Sequence, residues 1–351
     1  MNTSGSASFA LESGRKIGGD APAFVVAEIG VNHDGSVDVA HELIAAAAEA
    51  RADAVKLQIL NPDRNYSPAH PSYAIYRQMD LGRDNYARLA TYAKELGLAF
   101  FATPDTASLA LVKELGMPLV KVSSGLLTDV NHLKVACSLG VPIVMSTGMS
   151  YLDAVMQAVE CCRRHGRDEI AVLQCTSLYP SPPDTLNLRA IDTLAVATGA
   201  VVGFSDHSRG AVAAVAAIAR GAKLIEKHIT LDRSRPGPEH HVAADPREFA
   251  EFLLAIRSAE AMLGDGAKRP APGESENAKL FRRCVVAMRD IAAGDRFTTE
   301  NTGILRPSPG TRGLEPSHYE DVLDLVASQD IPRGVGIALG MLGGRPRTHT
   351  H

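Results

Sequence analysis

The sequence has few cysteines, no long apolar run and little net charge. Each of these features argues against particular classes of protein. Five cysteines among 351 residues, none in a C-x-x-C pair, indicate a reducing, cytoplasmic compartment. No apolar run approaches the roughly 18 residues that a membrane span needs. A net charge of −4 argues against nucleic acid as a partner. The N-terminus lacks a basic segment followed by an apolar core, so we expect no secretory signal.

A short apolar run followed by a helical stretch recurs eight times between residues 23 and 263. Ser36 is the predicted N-cap of the first helical stretch. Alternating strands and helices imply parallel pairing, and eight units predict an α/β protein of the (β/α)8, or TIM-barrel, class. A doubly wound open sheet is the alternative, but its usual G-x-G-x-x-G turn is absent. The predicted strands are Phe24–Ile29, Ala54–Gln58, Ala99–Ala102, Leu119–Val122, Ile143–Ser146, Ile170–Gln174, Val201–Phe204 and Leu224–Lys227.

The composition changes after Leu263, and the change predicts a second domain. The segment GDGAKRPAPGESENAK is rich in glycine, proline and charge, which is typical of a linker. The residues after it show short β-like runs and turn signals without a helical period, which predicts a small, mostly β module. The predicted organisation is a lead-in over residues 1–20, a barrel over 21–264, a linker over 265–279, the module over 280–343 and a tail over 344–351.

Each of the eight predicted strands ends in polar side chains. In a TIM barrel the carboxyl ends of the strands meet at one rim, where the chemistry takes place. Three lysines and several hydroxyls at this rim suit a small polyanion, such as a phosphate ester that also carries a carboxylate. These strand-end residues are Glu28, Lys56, Gln58, Thr103, Lys121, Ser123, Ser124, Ser146, Thr147, Gln174, Thr176, Ser177, Ser205, Asp206, His207, Glu226, Lys227 and His228.

Two of these residues, His207 and His228, end consecutive strands and are therefore expected to be neighbours across the barrel mouth. Imidazole is the commonest ligand for divalent metals, and two such ligands leave open positions for a Lewis-acid site. A structural or general-acid role is the alternative that the spacing leaves open. The pair His240 and His241, in a loop rich in proline and glycine, is expected to be solvated.

Six motifs in order resemble the sialic acid synthase family, which comprises the N-acetylneuraminate, legionaminate and pseudaminate synthases. The resemblance covers about residues 20–340, and the module at its end resembles the antifreeze-like (SAF) domain of these enzymes. The motifs are AEIGVNHDGSVDVAHELIAAAAEARADAVKLQ, KVSSG, VPIVMSTGM, CTSLYPSPPDTLNLRAI, GFSDHSRG and EKHITLDRSRPGPEH.

The resemblance implies an enzyme that condenses phosphoenolpyruvate with an amino-sugar aldehyde and water, giving a 2-keto acid and phosphate. It also implies a divalent metal, Mn²⁺ first, with Mg²⁺ or Co²⁺ as alternatives, on His207 and His228. Glu28 matches the acidic residue beside the reacting centre, and Tyr179 matches a sugar-side contact. Residues that match positions around phosphoenolpyruvate are Lys56, Gln58, Thr103, Lys121, Ser124, Ser146 and Ser205.

Three residues depart from the family pattern, all on the acceptor side. Leu126 replaces a carboxylate that contacts the sugar, Ser177 stands where neuraminate-type members often carry asparagine, and Glu239 stands where aspartate is usual. The resemblance therefore implies the donor and the reaction type but leaves the sugar open. A synthase acting on a phosphorylated or non-standard aldose, and a catalytically inactive binding protein on this fold, are the alternatives.

The resemblance further implies a domain-swapped homodimer in which the SAF domain of one chain covers the barrel of the other. In the family an arginine of that domain reaches the sugar site of the partner. Arg306, in ILRPSPG, matches this position best, and Arg312 is the alternative.

Overall fold

The structure, a computed structural model, describes residues 7–344. It divides into one unit that ends at Asp265 and a second that begins at Gly266. The predicted tail lies outside the described residues except for Gly344. Across residues 7–344, no helix is both long enough and apolar enough to cross a membrane.

The described part of the predicted lead-in forms a hairpin that covers one end of the first unit. Its antiparallel strands are β1 (Ser8–Ala10) and β2 (Lys16–Gly18). Ile17 is fully buried in the main hydrophobic core. A Cβ on Gly18 would lie 2.8 Å from the side chain of Val201, a residue at the beginning of a barrel strand. The hairpin therefore packs at the end of the barrel where strands begin, opposite the carboxyl rim.

The first unit is a closed barrel of eight parallel strands, which confirms the predicted (β/α)8 class. The last barrel strand pairs with the first, with Leu224 beside Phe24 and His228 beside Glu28. Ser36 caps the first barrel helix, as predicted, by accepting a hydrogen bond from the amide of Val39. The strands are β3 (Phe24–Gly30), β4 (Ala54–Ile59), β5 (Ala99–Pro104), β6 (Val120–Val122), β7 (Ile143–Ser146), β8 (Ile170–Cys175), β9 (Val201–Asp206) and β10 (Leu224–His228).

Helices cover the outside of the barrel, so the strands are buried on both faces and their sequences are almost continuously apolar. Every residue of β3 and of β9 is buried for this reason. The helices of this unit are α1 (Val37–Glu49), α2 (Pro62–Asn65), α3 (Pro71–Arg77), α4 (Arg83–Glu95), α5 (Leu109–Glu114), α6 (Val130–Ser138), α7 (Leu152–Arg164), α8 (Ala190–Thr198), α9 (Val212–Ala219) and α10 (Pro246–Leu263).

The second unit has its own small core around Val285, Phe297, Ile331 and Ile337. Two strands of this unit pair antiparallel. A helix occupies part of the segment predicted as a linker, so that segment is more structured than its composition indicates. The elements of this unit are α11 (Glu274–Phe281), β11 (Cys284–Ala287), β12 (Thr302–Leu305) and α12 (Tyr319–Val322).

Candidate active site

A cavity of about 450 Å³ opens at the carboxyl ends of the barrel strands. Its size is within the range of small-molecule sites. It brings together every predicted site residue of the barrel, and Leu126 is part of its wall. The predicted site residues that line it are Glu28, Lys56, Gln58, Thr103, Lys121, Ser124, Ser146, Ser177, Tyr179, Ser205, His207, His228 and Glu239.

Five of the polar strand-end residues point away from this cavity. Successive side chains of a strand face opposite sides, so the neighbours of inward-facing residues face outward. Lys227, between Glu226 and His228, binds Asp206 at 3.0 Å outside the barrel. The prediction that three lysines converge at the rim is therefore wrong, because only Lys56 and Lys121 line the cavity. The five outward residues are Thr147, Gln174, Thr176, Asp206 and Lys227.

The floor of the cavity is a buried network of lysines and glutamates. Lys121 Nζ donates to both carboxylate oxygens of Glu226, at 2.9 and 3.0 Å. Ser205 Oγ donates to the same carboxylate at 3.1 Å. Lys56 forms an ion pair with Glu28 and lies 3.8 Å from Glu226. Each of the two lysines thus has at least one carboxylate partner before any substrate enters.

The charges and the burial in this network give its two glutamates different pKa values. Burial would raise the pKa of Glu226, but the ammonium groups of Lys121 and Lys56 hold that pKa at about 2. Burial also acts on Glu28 and, despite the opposing charge of Lys56, raises the pKa of Glu28 to about 7. Glu226 is therefore a permanent anion, whereas Glu28 can gain or lose a proton near neutral pH, as a general acid or base must.

The two histidines of the rim lie side by side, with ring centroids 5.4 Å apart. His207 Nδ1 lies 2.8 Å from the carbonyl oxygen of Thr176, so Nδ1 carries a proton and Nε2 is the nitrogen that faces a metal. Burial opposes the charged form of His207, but Cys175 and that carbonyl outweigh it and raise the pKa of His207. Burial, together with the positive charges nearby, lowers the pKa of His228 well below its ordinary value, which keeps that ring neutral. His228 therefore has the protonation that a metal ligand requires, whereas His207 has to lose a proton at lower pH before it can bind a metal.

The surroundings of His228 fit a divalent ion that has few protein ligands. His228 Nδ1 and Glu239 Oε2 are both buried, 3.5 Å apart, and neither has a hydrogen-bond partner in the described part of the chain. No group of three histidines, cysteines, aspartates or glutamates among residues 7–344 is arranged to hold a metal. An ion held here would take its other ligands from water or substrate, as open catalytic sites do.

Aromatic and apolar side chains form the outer wall of the cavity. Tyr179 stacks on His207 with ring centroids 4.2 Å apart, and Tyr66 stacks on Tyr76 at 5.4 Å. Leu126 and Met149 complete this wall. Tyr66 and Tyr76, in the segment after β4, were not predicted from the sequence because that segment belongs to none of the six motifs. Glu226 was predicted to lie at the rim but was assigned no role, although LIEKH places Glu226 on the same strand face as His228.

One further residue, His240, differs in its placement from what its sequence context indicates. His240, expected to be solvated, is buried: its ring lies 2.7 Å from Thr230 Oγ1 and 2.9 Å from Asp34 Oδ1. His241, by contrast, is exposed. Arg306 belongs to the second unit, where its Nε donates to the carbonyl of Phe281 at 3.1 Å.

Comparisons with known proteins agree with this architecture. The model of the NeuB family matches residues 43–268, and the model of the SAF domain matches residues 282–343. The chain is 34% identical to the N,N'-diacetyllegionaminic acid synthase of Legionella pneumophila, over 92% of this chain and 97% of that protein. It is 33% identical to the N-acetylneuraminate-9-phosphate synthase of Mus musculus, over 90% of each chain.

A solved structure gives the same result. The N-acetylneuraminic acid synthetase of Leptospira borgpetersenii, crystallised with citrate, superposes with a TM-score of 0.74 at 30% identity, over 78% of this chain and 96% of that one. The family model covers more than half of the chain and spans most of the barrel strands that bear the cavity. With this fold, this cavity and these matches, the chain belongs to the NeuB family.

Proposed function

We propose that this protein is a transferase that condenses phosphoenolpyruvate with the aldehyde of an amino sugar and with water. C3 of phosphoenolpyruvate bonds to the aldehyde carbon, whose oxygen takes up a proton. Water adds at C2, and the bond from C2 to the bridging oxygen breaks, so that phosphate leaves with that oxygen and a 2-keto-3-deoxy acid remains. The observation that carries this proposal is the buried network of Lys56, Lys121, Glu28 and Glu226 beside two adjacent histidines, in a member of the NeuB family.

The donor would bind over the floor of the cavity. Lys56 and Lys121 face its carboxylate and phosphate, and hydroxyl groups of the rim add hydrogen bonds. Ser146 Oγ supports this placement, because it is buried and has no hydrogen-bond partner within the described residues. Lys56 Nζ also donates to Thr103 Oγ1 at 2.7 Å, which fixes the direction of its ammonium group.

Charge balance supports a divalent metal at His207 and His228. The two lysines of the floor are already opposed by Glu226 and, when it is ionised, by Glu28. A donor that brings two or more negative charges into this buried space needs additional positive charge. We therefore propose Mn²⁺, with Mg²⁺ or Co²⁺ as alternatives; when bound, such an ion would polarise the aldehyde oxygen as a Lewis acid.

The outer wall favours an unphosphorylated acceptor. A phosphate group on the sugar would need a cation of its own, and no arginine occurs among the described residues that line the cavity. The relative from Mus musculus, named for a 9-phosphate product, keeps a phosphorylated acceptor as the second candidate. Leu126 and the paired rings of Tyr66 and Tyr76 instead offer contact area to apolar substituents.

Release of inorganic phosphate from phosphoenolpyruvate, measured with Mn²⁺ and a panel of aldoses, tests the proposal. Release with an unphosphorylated amino sugar supports it. Release with phosphorylated sugars alone supports the second candidate. No release with any aldose would leave a binding protein on a catalytic fold.

Leu126 should select against acceptors that need a hydrogen bond at its position. Leucine cannot accept a hydrogen bond from a hydroxyl or amide, so we expect an acceptor with a deoxy or other apolar group to be preferred over N-acetylmannosamine. The substitution Leu126→Glu should raise kcat/KM for N-acetylmannosamine about tenfold relative to the deoxy sugar. Leu126→Met, which keeps the apolar contact, is the matched control. A wild-type preference for N-acetylmannosamine would refute this prediction.

We also propose a domain-swapped homodimer in which the SAF domain covers the cavity of the partner chain, since exclusion of water strengthens the charges in such a site. Arg306 is the better candidate for a residue acting across the dimer. Arg312 already forms an ion pair with Glu315 at 3.1 Å, whereas Arg306 pairs with no carboxylate among residues 7–344.

Mixing two inactive variants tests this assignment. Arg306→Ala and His207→Ala chains, exchanged into heterodimers, should recover activity, because one of the two sites then has both residues intact. We expect about a quarter of wild-type activity from a random mixture if each site acts alone. Arg312→Ala serves as the control and should remain active by itself. Failure to recover activity after verified subunit exchange would contradict the assignment.

A further inference from the structure

The loop between β10 and α10 brings a carboxylate back into the barrel mouth. Glu239 is only 7% exposed, and its Oε1 accepts a hydrogen bond from Gln58 Nε2 at 3.0 Å. A Cβ on Gly30 would lie 2.4 Å from Glu239 Oε2, so the absence of a side chain at position 30 makes room for this carboxylate. Burying a carboxylate costs folding free energy, and burial raises the pKa of Glu239, so the loop needs other contacts to keep Glu239 in place.

His240, the next residue, supplies those contacts. Its ring bridges Thr230, just after β10, and Asp34, in the loop after β3. A carboxylate only accepts hydrogen bonds, so His240 Nε2 carries the proton that is donated to Asp34 Oδ1. On the other side of the ring, Nδ1 lies within hydrogen-bond distance of Thr230 Oγ1, at 2.7 Å. Both nitrogens are thereby used in holding the loop.

Asp34 holds the loop at a second point as well. Its Oδ2 lies 2.9 Å from Arg235 Nη2, so the two oxygens of one carboxylate bind two residues of the same loop. Asp34 has a positive φ of 52°, a conformation that residues other than glycine seldom adopt. The two contacts made in this conformation offset its cost.

The packing around His240 leaves little freedom. A Cβ on Gly237 would lie 2.7 Å from His240 Cδ2, so the chain passes directly against the imidazole. His240 is 1% exposed. The ring can therefore not be replaced by a water molecule without a change in the path of the loop.

We propose that His240, held between Thr230 and Asp34, is a positioning residue that fixes Glu239 at the acceptor side of the cavity. This inference rests on the proposed function, because only that function makes this side of the cavity the acceptor side. The contacts by which His240 fixes the loop do not depend on the proposed function. His240 touches no reacting atom. It acts by limiting where the carboxylate of Glu239 lies.

The substitution His240→Ala should raise KM for the aldehyde acceptor about tenfold and leave KM for phosphoenolpyruvate within about twofold. His240→Gln should restore much of the acceptor affinity, because its amide nitrogen can donate to Asp34 in place of Nε2. Thr230→Val removes one end of the bridge and should act in the same direction more weakly. His132→Ala is the control, since His132 is also fully buried and bonded to one threonine, Thr106, but lies on α6, outside the loop between β10 and α10.

Hydrogen exchange of backbone amides in residues 231–243 provides a second readout that needs no turnover. Exchange should be faster in His240→Ala than in wild type, and unchanged in His132→Ala. Equal rises in both KM values, or unchanged exchange in Thr230→Val and His240→Ala alike, would overturn the inference. If wild-type protein turns over no aldose, the exchange measurement still decides whether His240 fixes the loop, and only the proposed function fails.

Discussion

Alanine in place of His207 or His228 is expected to abolish turnover and metal binding together. The two imidazoles are the histidine side chains that line the cavity, and no group of three histidines, cysteines, aspartates or glutamates among residues 7–344 is arranged to hold a metal. Removing one histidine leaves a single imidazole with at most the nearby carboxylate of Glu239, and we expect these not to hold a divalent ion at micromolar concentration. Binding of Mn²⁺ followed by calorimetry, alongside phosphate release, measures both effects.

The histidines near the C-terminus provide the control for this experiment. His349 and His351 could bind metal adventitiously, so a chain with alanine at both positions should retain one Mn²⁺ site and full activity. Chelation of the wild-type protein should remove activity, and added Mn²⁺ should restore it. Full activity after thorough chelation would contradict the proposed metal.

Glutamine in place of Glu28 is expected to reduce kcat about a hundredfold or more. The substitution keeps the size of the side chain and removes its capacity to carry a proton between the water and the acceptor. Circular dichroism should show an unchanged fold. A rate within a few fold of wild type would exclude Glu28 as the acid or base, and Glu28→Asp, which keeps the carboxyl group, is the matched control.

The same substitution, Glu28→Gln, should increase the free energy of unfolding although it reduces kcat. Burial raises the pKa of Glu28 from 4.5 to about 7. A carboxyl group whose pKa is raised by folding favours the folded state below its unfolded pKa, and this contribution is lost as the pH rises through the folded value. Glutamine does not titrate, so Glu28→Gln should gain stability relative to wild type between pH 4.5 and 7, on the order of 3 kcal/mol. Urea unfolding of metal-free protein at pH 5 and pH 8 measures the difference.

The barrel could be predicted from the sequence because its signals are local and repeated. Apolar runs of four to six residues, each followed by a helical period, reflect strands buried on both faces, and Ser36 marks a helix start by its own chemistry. The helix α11 could not be predicted in this way. Glycine and proline near the beginning of its segment indicate a linker, whereas the helix begins just after them, at Glu274.

The site residues at strand ends could be predicted from the sequence. Those whose placement depends on contacts between loops could not. Side chains alternate along a strand, which places Lys227 on the outside of the barrel and Glu226 on the inside. The prediction of three lysines at the rim did not take this alternation into account. The burial of His240 could not be foreseen, since its partner Asp34 is 206 positions away in the chain. The pairing of Lys121 with Glu226 likewise joins opposite sides of the barrel, 105 positions apart.

The hairpin packs at the end of the barrel opposite the cavity, so we expect reactants to enter from the carboxyl rim. The floor, with Lys56 and Lys121 almost fully buried, lies beneath the wall that contains Tyr179 and Met149, which are 43% and 77% exposed. A molecule bound at the wall should therefore hinder access to the floor. We expect phosphoenolpyruvate to bind before the sugar, and phosphate formed at the floor to leave after the sugar acid. Product-inhibition patterns, which distinguish a compulsory order of binding from a random one, measure this consequence of the architecture.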